Sequence, residues 1–146
     1  RPPRSTLFPY TTLCRSSIRE SIDRIRAAMG NIGYKFPVAD ITVNMAPADI
    51  RKEGSGYDLP LAIGILAANS KITSDTLGEY MLLGELGLDG RLHPIRGALP
   101  IAIKARAEKF KGLIVPRQNV REAAVVNQLE VYGMDSLLDV IQFFNG

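Results

Sequence analysis

The residues with the greatest capacity for chemistry fall in one charged, glycine-punctuated loop, NMAPADIRKEGSGYDLP, at positions 44–60. Asp49, Arg51, Lys52, Glu53, Ser55 and Asp58 supply carboxylates, cations and a hydroxyl just ahead of an apolar run of helical length, LPLAIGILAA. Loops that open on a helix N-terminus often serve as sites, because backbone amides and the helix dipole face an anionic ligand there. Asp58 is expected to be the N-cap of this helix, with Pro60 in the first turn. Its carboxylate would then occupy the free amides and repel a second anion, which favours a structural role over phosphate binding. These six residues form the expected contact loop, in which Arg51, Lys52 and Glu53 serve either as a partner surface or as solvated charge.

Other chemistries lack their parts. No G-x-x-x-x-G-K-[ST] loop is present to cradle nucleotide phosphates, so the chain is not expected to hydrolyse ATP by itself. No G-x-S-x-G elbow occurs, and a Ser-His-Asp triad would have to use His93, the one histidine, which precedes Pro94 beside a turn and is read as solvated. Lys104, Arg106, Lys109, Lys111, Arg117 and Arg121 make the densest basic stretch. On a helix they spread over more than one face among Glu108 and Glu122, so they read as solubilising charge, with DNA contact as the alternative.

Residues 6–16 (TLFPYTTLCRS) reverse-translate, with one codon changed, to a common sequencing-adapter oligonucleotide, so residues 1–16 are set aside as a disordered artifact arm. That arm holds Arg1, Arg4, Arg15 and the single cysteine, Cys14. Without it, the 18 basic residues fall to fifteen, against 15 acidic ones. Neutrality removes the charge argument for a nucleic-acid or membrane surface. With no cysteine and one histidine left, disulfides, thiolate zinc sites and a cysteine nucleophile are excluded, and no cofactor or metal site is expected. A reducing cytoplasm is compatible with that composition and is the expected location. No apolar run approaches the roughly 20 residues needed to cross a bilayer.

The elements that must position the loop follow from periodicity. Ile18, Ile22, Ile25 and Met29 recur at helical spacing, with Ser17 as the expected N-cap and Gly30 or Gly33 as the stop. Ile41, Val43 and Met45 alternate as in a strand. After the buried helix at 59–68, Asp89-Gly90 between residues 81–88 and 91–94 predicts a hairpin with a two-residue turn. Residues 99–109 read as a helix with Ile103 inward, 112–115 as a buried strand ended by Pro116, and 119–126 as a short helix capped by Asn119. Val131 and Tyr132 indicate a last strand, and residues 136–144 a last helix. Helices alternating with strands, plus one hairpin, imply one α/β domain over residues 17–146 with a mixed sheet.

Three runs, VNMAPADIRKEGSGYDLPLAIGILAA, LLGELGLDGRLHPIRGALPIAIKA and LIVPRQNVREAAVV, closely resemble the N-terminal domain of magnesium-chelatase-like AAA+ ATPases of the ComM/YifB group, covering residues 18–146. The resemblance implies a ribosomal-protein-S5-domain-2-like fold of a mixed sheet with packed helices, lacking an N-terminal strand region that the family usually has. It further implies a non-catalytic accessory role beside an AAA+ module that binds ATP and magnesium. Implied partners are that module and neighbouring subunits of a homo-hexamer, with DNA reached through a parent that drives branch migration in natural transformation.

The same fold is similar to the proteolytic domain of Lon, which gives the alternative of a Ser-Lys hydrolase. Matching helix to helix places Asp58 at that family's serine position and Leu99 at its lysine position. A carboxylate cannot become an alkoxide nucleophile and leucine cannot accept a proton, so the resemblance implies a lost dyad. Ser55 with Lys52 would substitute only with a differently folded loop.

Overall fold

The computed structural model describes residues 15–37 and 55–146. Helix α1 (Arg15–Asn31) is followed by α2 (Asp58–Ala68), strand β1 (Tyr80–Leu82), and the pair β2 (Glu85–Leu86) and β3 (Leu92–His93). Then come α3 (Ala98–Ala107), β4 (Gly112–Pro116), the short α4 (Val120–Ala123), β5 (Glu130–Met134) and α5 (Leu137–Asn145). The predicted strand at 40–45 and most of the loop lie outside the described residues.

β4 forms the centre of a parallel sheet ordered β1-β4-β5, with Ile114 opposite Leu82 on one side and Tyr132 on the other. Its five residues are all buried, as expected of a strand covered on both faces. Alternation divides them. Ile114 joins a core with Ile25 and Met29 of α1, Leu59 and Leu66 of α2, and Leu137 and Ile141 of α5. Leu113 and Val115 join a second core with Ala98 and Ala102 of α3, and Ala123 and Val126. Helices therefore lie on both faces of the sheet, the arrangement that parallel strands require.

Several expectations change on contact with this packing. The hairpin exists, but it forms a separate antiparallel pair, Glu85 opposite His93 and Leu86 opposite Leu92, rather than part of one mixed sheet. Its turn is also not the two-residue type. Gly90 N bonds Gly87 O at 3.0 Å, Gly87 N bonds Arg91 O at 2.8 Å, and only Gly90 takes positive φ, at +90°. The Asp89 side chain accepts from Arg91 N at 3.0 Å, which holds a tight turn followed by one left-handed glycine.

α3 turns the small residues Ala98, Ala102 and Ala105 inward, so Ile103 is 48% exposed instead of facing the core. α1 begins at Arg15, so Ser17 lies inside the helix rather than at its cap. Asn119 precedes α4 without capping it. Its buried side chain donates to Ile95 O (2.8 Å) and accepts from Ile95 N (2.9 Å), holding the segment before α3 as a strand partner would. Ser136 does cap α5, accepting from Asp139 N at 3.2 Å.

The carboxyl ends of parallel strands are where open α/β sheets generally take ligands. Here the hairpin is tied across that end by Leu92 N to Asp135 O (2.9 Å) and Leu137 N to Gly90 O (2.8 Å).

Candidate functional site

The site is built where the loop enters α2. An α-helix opens with backbone N–H groups that have no partner in the preceding turn. At α2, Asp58 N donates to Ser55 O (3.1 Å), Leu59 N donates to Gly84 O (3.0 Å), Pro60 has no N–H, and Leu61 N reaches Tyr57 O (3.1 Å). Backbone carbonyls thus satisfy the opening. Asp58 is the first helical residue, Tyr57 is the N-cap, and no side chain caps the helix. The expectation that the Asp58 carboxylate fills these amides is therefore corrected, because the return of the chain at Gly84 places carbonyl oxygens there first.

The freed carboxylate points elsewhere and is fully buried. Asp58 Oδ2 lies 2.7 Å from Arg24 Nε and Oδ1 lies 3.0 Å from Arg24 Nη2, a bidentate pair between α2 and α1. Leu86 N, from β2, donates to Oδ2 at 2.9 Å. Arg24 Nη2 also donates to Ser21 Oγ at 3.1 Å, and Ser21 is itself buried. The hydrogen bond to Asp58 is the largest influence on Arg24 and raises its pKa above the usual guanidinium value, against a smaller opposing effect of burial. A buried charge is tolerable only when paired and hydrogen-bonded, and Asp58 is both.

Ser55 Oγ hydrogen-bonds the Glu85 carboxylate. A carboxylate is too weak a base to leave the hydroxyl as an alkoxide at neutral pH, so this contact anchors the loop without activating a nucleophile. Beside it, burial pushes the Tyr57 phenol pKa upward. Asp49, Arg51, Lys52 and Glu53 lie outside the described residues. Of the six predicted loop residues, Ser55 and Asp58 are placed, and both engage β2.

Residues 4–119 match the model of the family described as subunit ChlI of Mg-chelatase. The chain belongs to the ChlI family. It is 41% identical over 139 residues to Competence protein ComM of Haemophilus influenzae, covering 95% of this chain and 27% of that one. It is 40% identical over 134 residues to uncharacterized protein YifB of Escherichia coli K12, covering 92% of this chain and 26% of that one. A more distant similarity, 28% over 116 residues, links 80% of this chain to 20% of Lon protease 2 of Bacillus subtilis. The ChlI-family chain thus spans about a quarter of the length of ComM and YifB.

Elsewhere in this ChlI-family domain, two basic side chains of the densest basic stretch pair with carboxylates. Lys104 pairs with Glu108 at 3.3 Å, and Arg117 forks onto Asp135 at 2.9 and 3.0 Å. Hydrogen bonding to Arg117 is the main reason that the Asp135 carboxyl titrates below its ordinary range. His93 is exposed on β3. Leu99, half-buried in the first turn of α3, gives its amide to Glu122 Oε2 at 3.1 Å. Among the described residues, no group of three or more His, Cys, Asp or Glu could hold a metal, and no helix is long and apolar enough to cross a membrane. A nucleotide phosphate does not fit the opening of α2, where the amides are taken, and the openings of α3 and α5 are likewise engaged by Glu122 and Ser136.

Sequence reasoning missed Arg24, Ser21 and Glu85. The available signal was Asp58 itself, since an aspartate opening a wholly apolar helix needs a cation once buried, and α1 offers Arg24 next to its apolar stripe.

Proposed function

We propose that this chain is a non-catalytic accessory domain, placed N-terminally to the AAA+ module of a magnesium-chelatase-like ATPase, and that it shares the ribosomal-protein-S5-domain-2-like fold. In this reading ATP and magnesium bind the ATPase module, and the domain contacts that module and neighbouring subunits of a cytoplasmic homo-hexamer. The parent performs ATP-driven work on DNA, including branch migration during natural transformation, and the loop containing Asp49, Arg51, Lys52, Glu53, Ser55 and Asp58 is the contact surface. Membership of the ChlI family and the 41% identity to a protein named for competence support this assignment.

The observation that carries the non-catalytic reading is the state of Asp58. The resemblance to Lon-type domains implies a nucleophile at that position, and here it holds a buried carboxylate committed to Arg24 and Leu86 N. The domain is then a protease-like fold retained for assembly. In the full-length parent, Arg51→Ala with Lys52→Ala should impair ring assembly, ATP hydrolysis or DNA unwinding, and unchanged values for all three overturn the loop assignment.

The distant similarity to Lon protease 2 favours one rival, a Ser-Lys hydrolase using Ser55 and Lys52. Labelling of Ser55 by a fluorophosphonate probe, lost in Lys52→Ala, would support that rival over the accessory role.

A further inference from the structure

The last helix ends at the chain's one Asn-Gly pair, Asn145-Gly146. Asn145 clasps the far end of α2. Its Nδ2 donates to Lys71 O at 3.0 Å, and its Oδ1 accepts from Thr73 N at 3.3 Å. These partners belong to the turn that closes α2, where Ser70 takes a positive φ of 60° and Lys71 N returns to Leu66 O at 2.8 Å. One exposed carboxamide thus gives both a donor and an acceptor to the backbone beyond α2, and ties together two helix ends that share a core through Leu66 and Phe144.

An Asn-Gly pair carries its own reaction. Glycine has no Cβ to hinder the approach of its backbone nitrogen to the preceding side-chain carbonyl. Once that nitrogen loses its proton, it bonds to the asparagine Cγ, the side-chain nitrogen leaves as ammonia, and a succinimide ring results. Water then opens the ring at either carbonyl, giving aspartate or isoaspartate. The only reagent consumed is water, and nothing is oxidised or reduced.

In this fold both reacting groups are held. Gly146 N donates to Gln142 O at 3.0 Å, and the Asn145 carboxamide is fixed by its two bonds across to Lys71 and Thr73. Attack requires these bonds to open, which the last turn of a helix does more readily than its middle.

We propose that Asn145 is a site of spontaneous deamidation, gated by fraying of the α5 end, and that the reaction releases the clasp on α2. The product cannot restore the clasp. Aspartate at this position keeps an acceptor for Thr73 N, but it turns an oxygen toward the Lys71 carbonyl where Nδ2 now donates. Isoaspartate adds a carbon to the main chain at the same point. The new negative charge also stands at a helix C-terminus, where the dipole opposes it.

Incubating the 146-residue chain at mildly alkaline pH, folded and in denaturing urea, and mapping its peptides by mass spectrometry follows the exchange of nitrogen for oxygen. The folded chain should react at position 145 about tenfold more slowly, the factor lost with one hydrogen bond of ordinary strength. Equal rates would overturn the gating, and no reaction in either state would remove the site. Thr73→Pro deletes one donor of the clasp at an exposed position and should bring the folded rate toward the urea rate, so an unchanged rate counts against the clasp. The comparison of folded and denatured parent chain stands whether or not that variant folds. Asn145→Asp reproduces the product with an unaltered main chain. It should lower the thermal midpoint more than Gln142→Glu, which adds a charge at an exposed position of the same turn, and equal shifts would mean that charge alone acts and that no clasp is released.

Discussion

Removing Arg24 should harm the domain more than neutralising Asp58, although the two side chains form one pair. In Arg24→Met, the Asp58 carboxylate remains at 0% exposure with Leu86 N as its remaining partner among the contacts described. Breaking a buried pair from one side costs about 3–5 kcal/mol. The Arg24 side chain is 26% exposed, so water can reach the vacated edge, and the lower end, about 3 kcal/mol, is expected. In Asp58→Asn, the amide oxygen still accepts from Leu86 N, and Arg24 can turn toward solvent, so a loss of about 1–2 kcal/mol is expected. The double variant carries no stranded charge. It should therefore be more stable than Arg24→Met alone, with a coupling of at least about 1 kcal/mol from the double-mutant cycle. Urea unfolding at neutral pH followed by circular dichroism measures all four species, and a domain of ordinary stability, about 5–15 kcal/mol, tolerates each loss. Additive losses, or Asp58→Asn costing more than Arg24→Met, would refute the claim that the carboxylate is held by Arg24.

Three further outcomes are expected. Gly133→Ala would place a Cβ 2.5 Å from Val120 Cγ2 and 3.1 Å from the Arg117 Cα, so it should cost about 1–3 kcal/mol in thermal unfolding. Gly64, exposed inside α2 with nothing within 4 Å of its virtual Cβ, should respond to alanine with the opposite sign in the same assay. For the surface fork, the Asp135 carboxyl is held below its ordinary value, so its contribution is full above the unfolded value of about 3.9 and is lost as pH falls through the lowered folded value. The stability gap between the parent chain and Arg117→Met should thus be present near neutrality and close on acidification below about pH 4, and a gap that persisted there would show that the fork acts through packing instead.

Much of the fold could be read from periodicity, because long apolar patterns depend on burial alone. α1 and α5 follow their stripes, α2 its unbroken apolar run, and β4 its short run ended by Pro116. What the pattern hides is direction. Ile103 scores as an inward residue on hydrophobicity, yet Ala98 and Ala102 of α3 pack with Leu113 and Val115, and small residues allow the close approach that decides which face turns in. Asn119 and Asp58 both read as caps from their type and position, and both are drawn away by partners distant in sequence, Ile95 and Arg24. Asp89-Gly90 announces the turn but not its length, since a side-chain bond from Arg91 N to Asp89 selects the geometry. The loop before α2 is legible as a charged segment, whereas the tie of Ser55 to Glu85 depends on a strand 30 positions away.

The carbonyl closure at the start of α2 also constrains what descent can do with this domain. Where a side chain blocks a helix opening, one codon change unblocks it, and a lost ligand site can return by reversion. Ser55 O and Gly84 O belong to the main chain, which no codon alters. Substituting Asp58 would dismantle its tie to Arg24 and leave Asp58 N and Leu59 N still taken. Reopening the helix to an anion demands a change in the path of the chain at Gly84, by insertion, deletion or refolding of the segment that leads into β2. Point substitution at position 58 therefore leaves both amides engaged, and freeing them requires a different backbone route through Gly84.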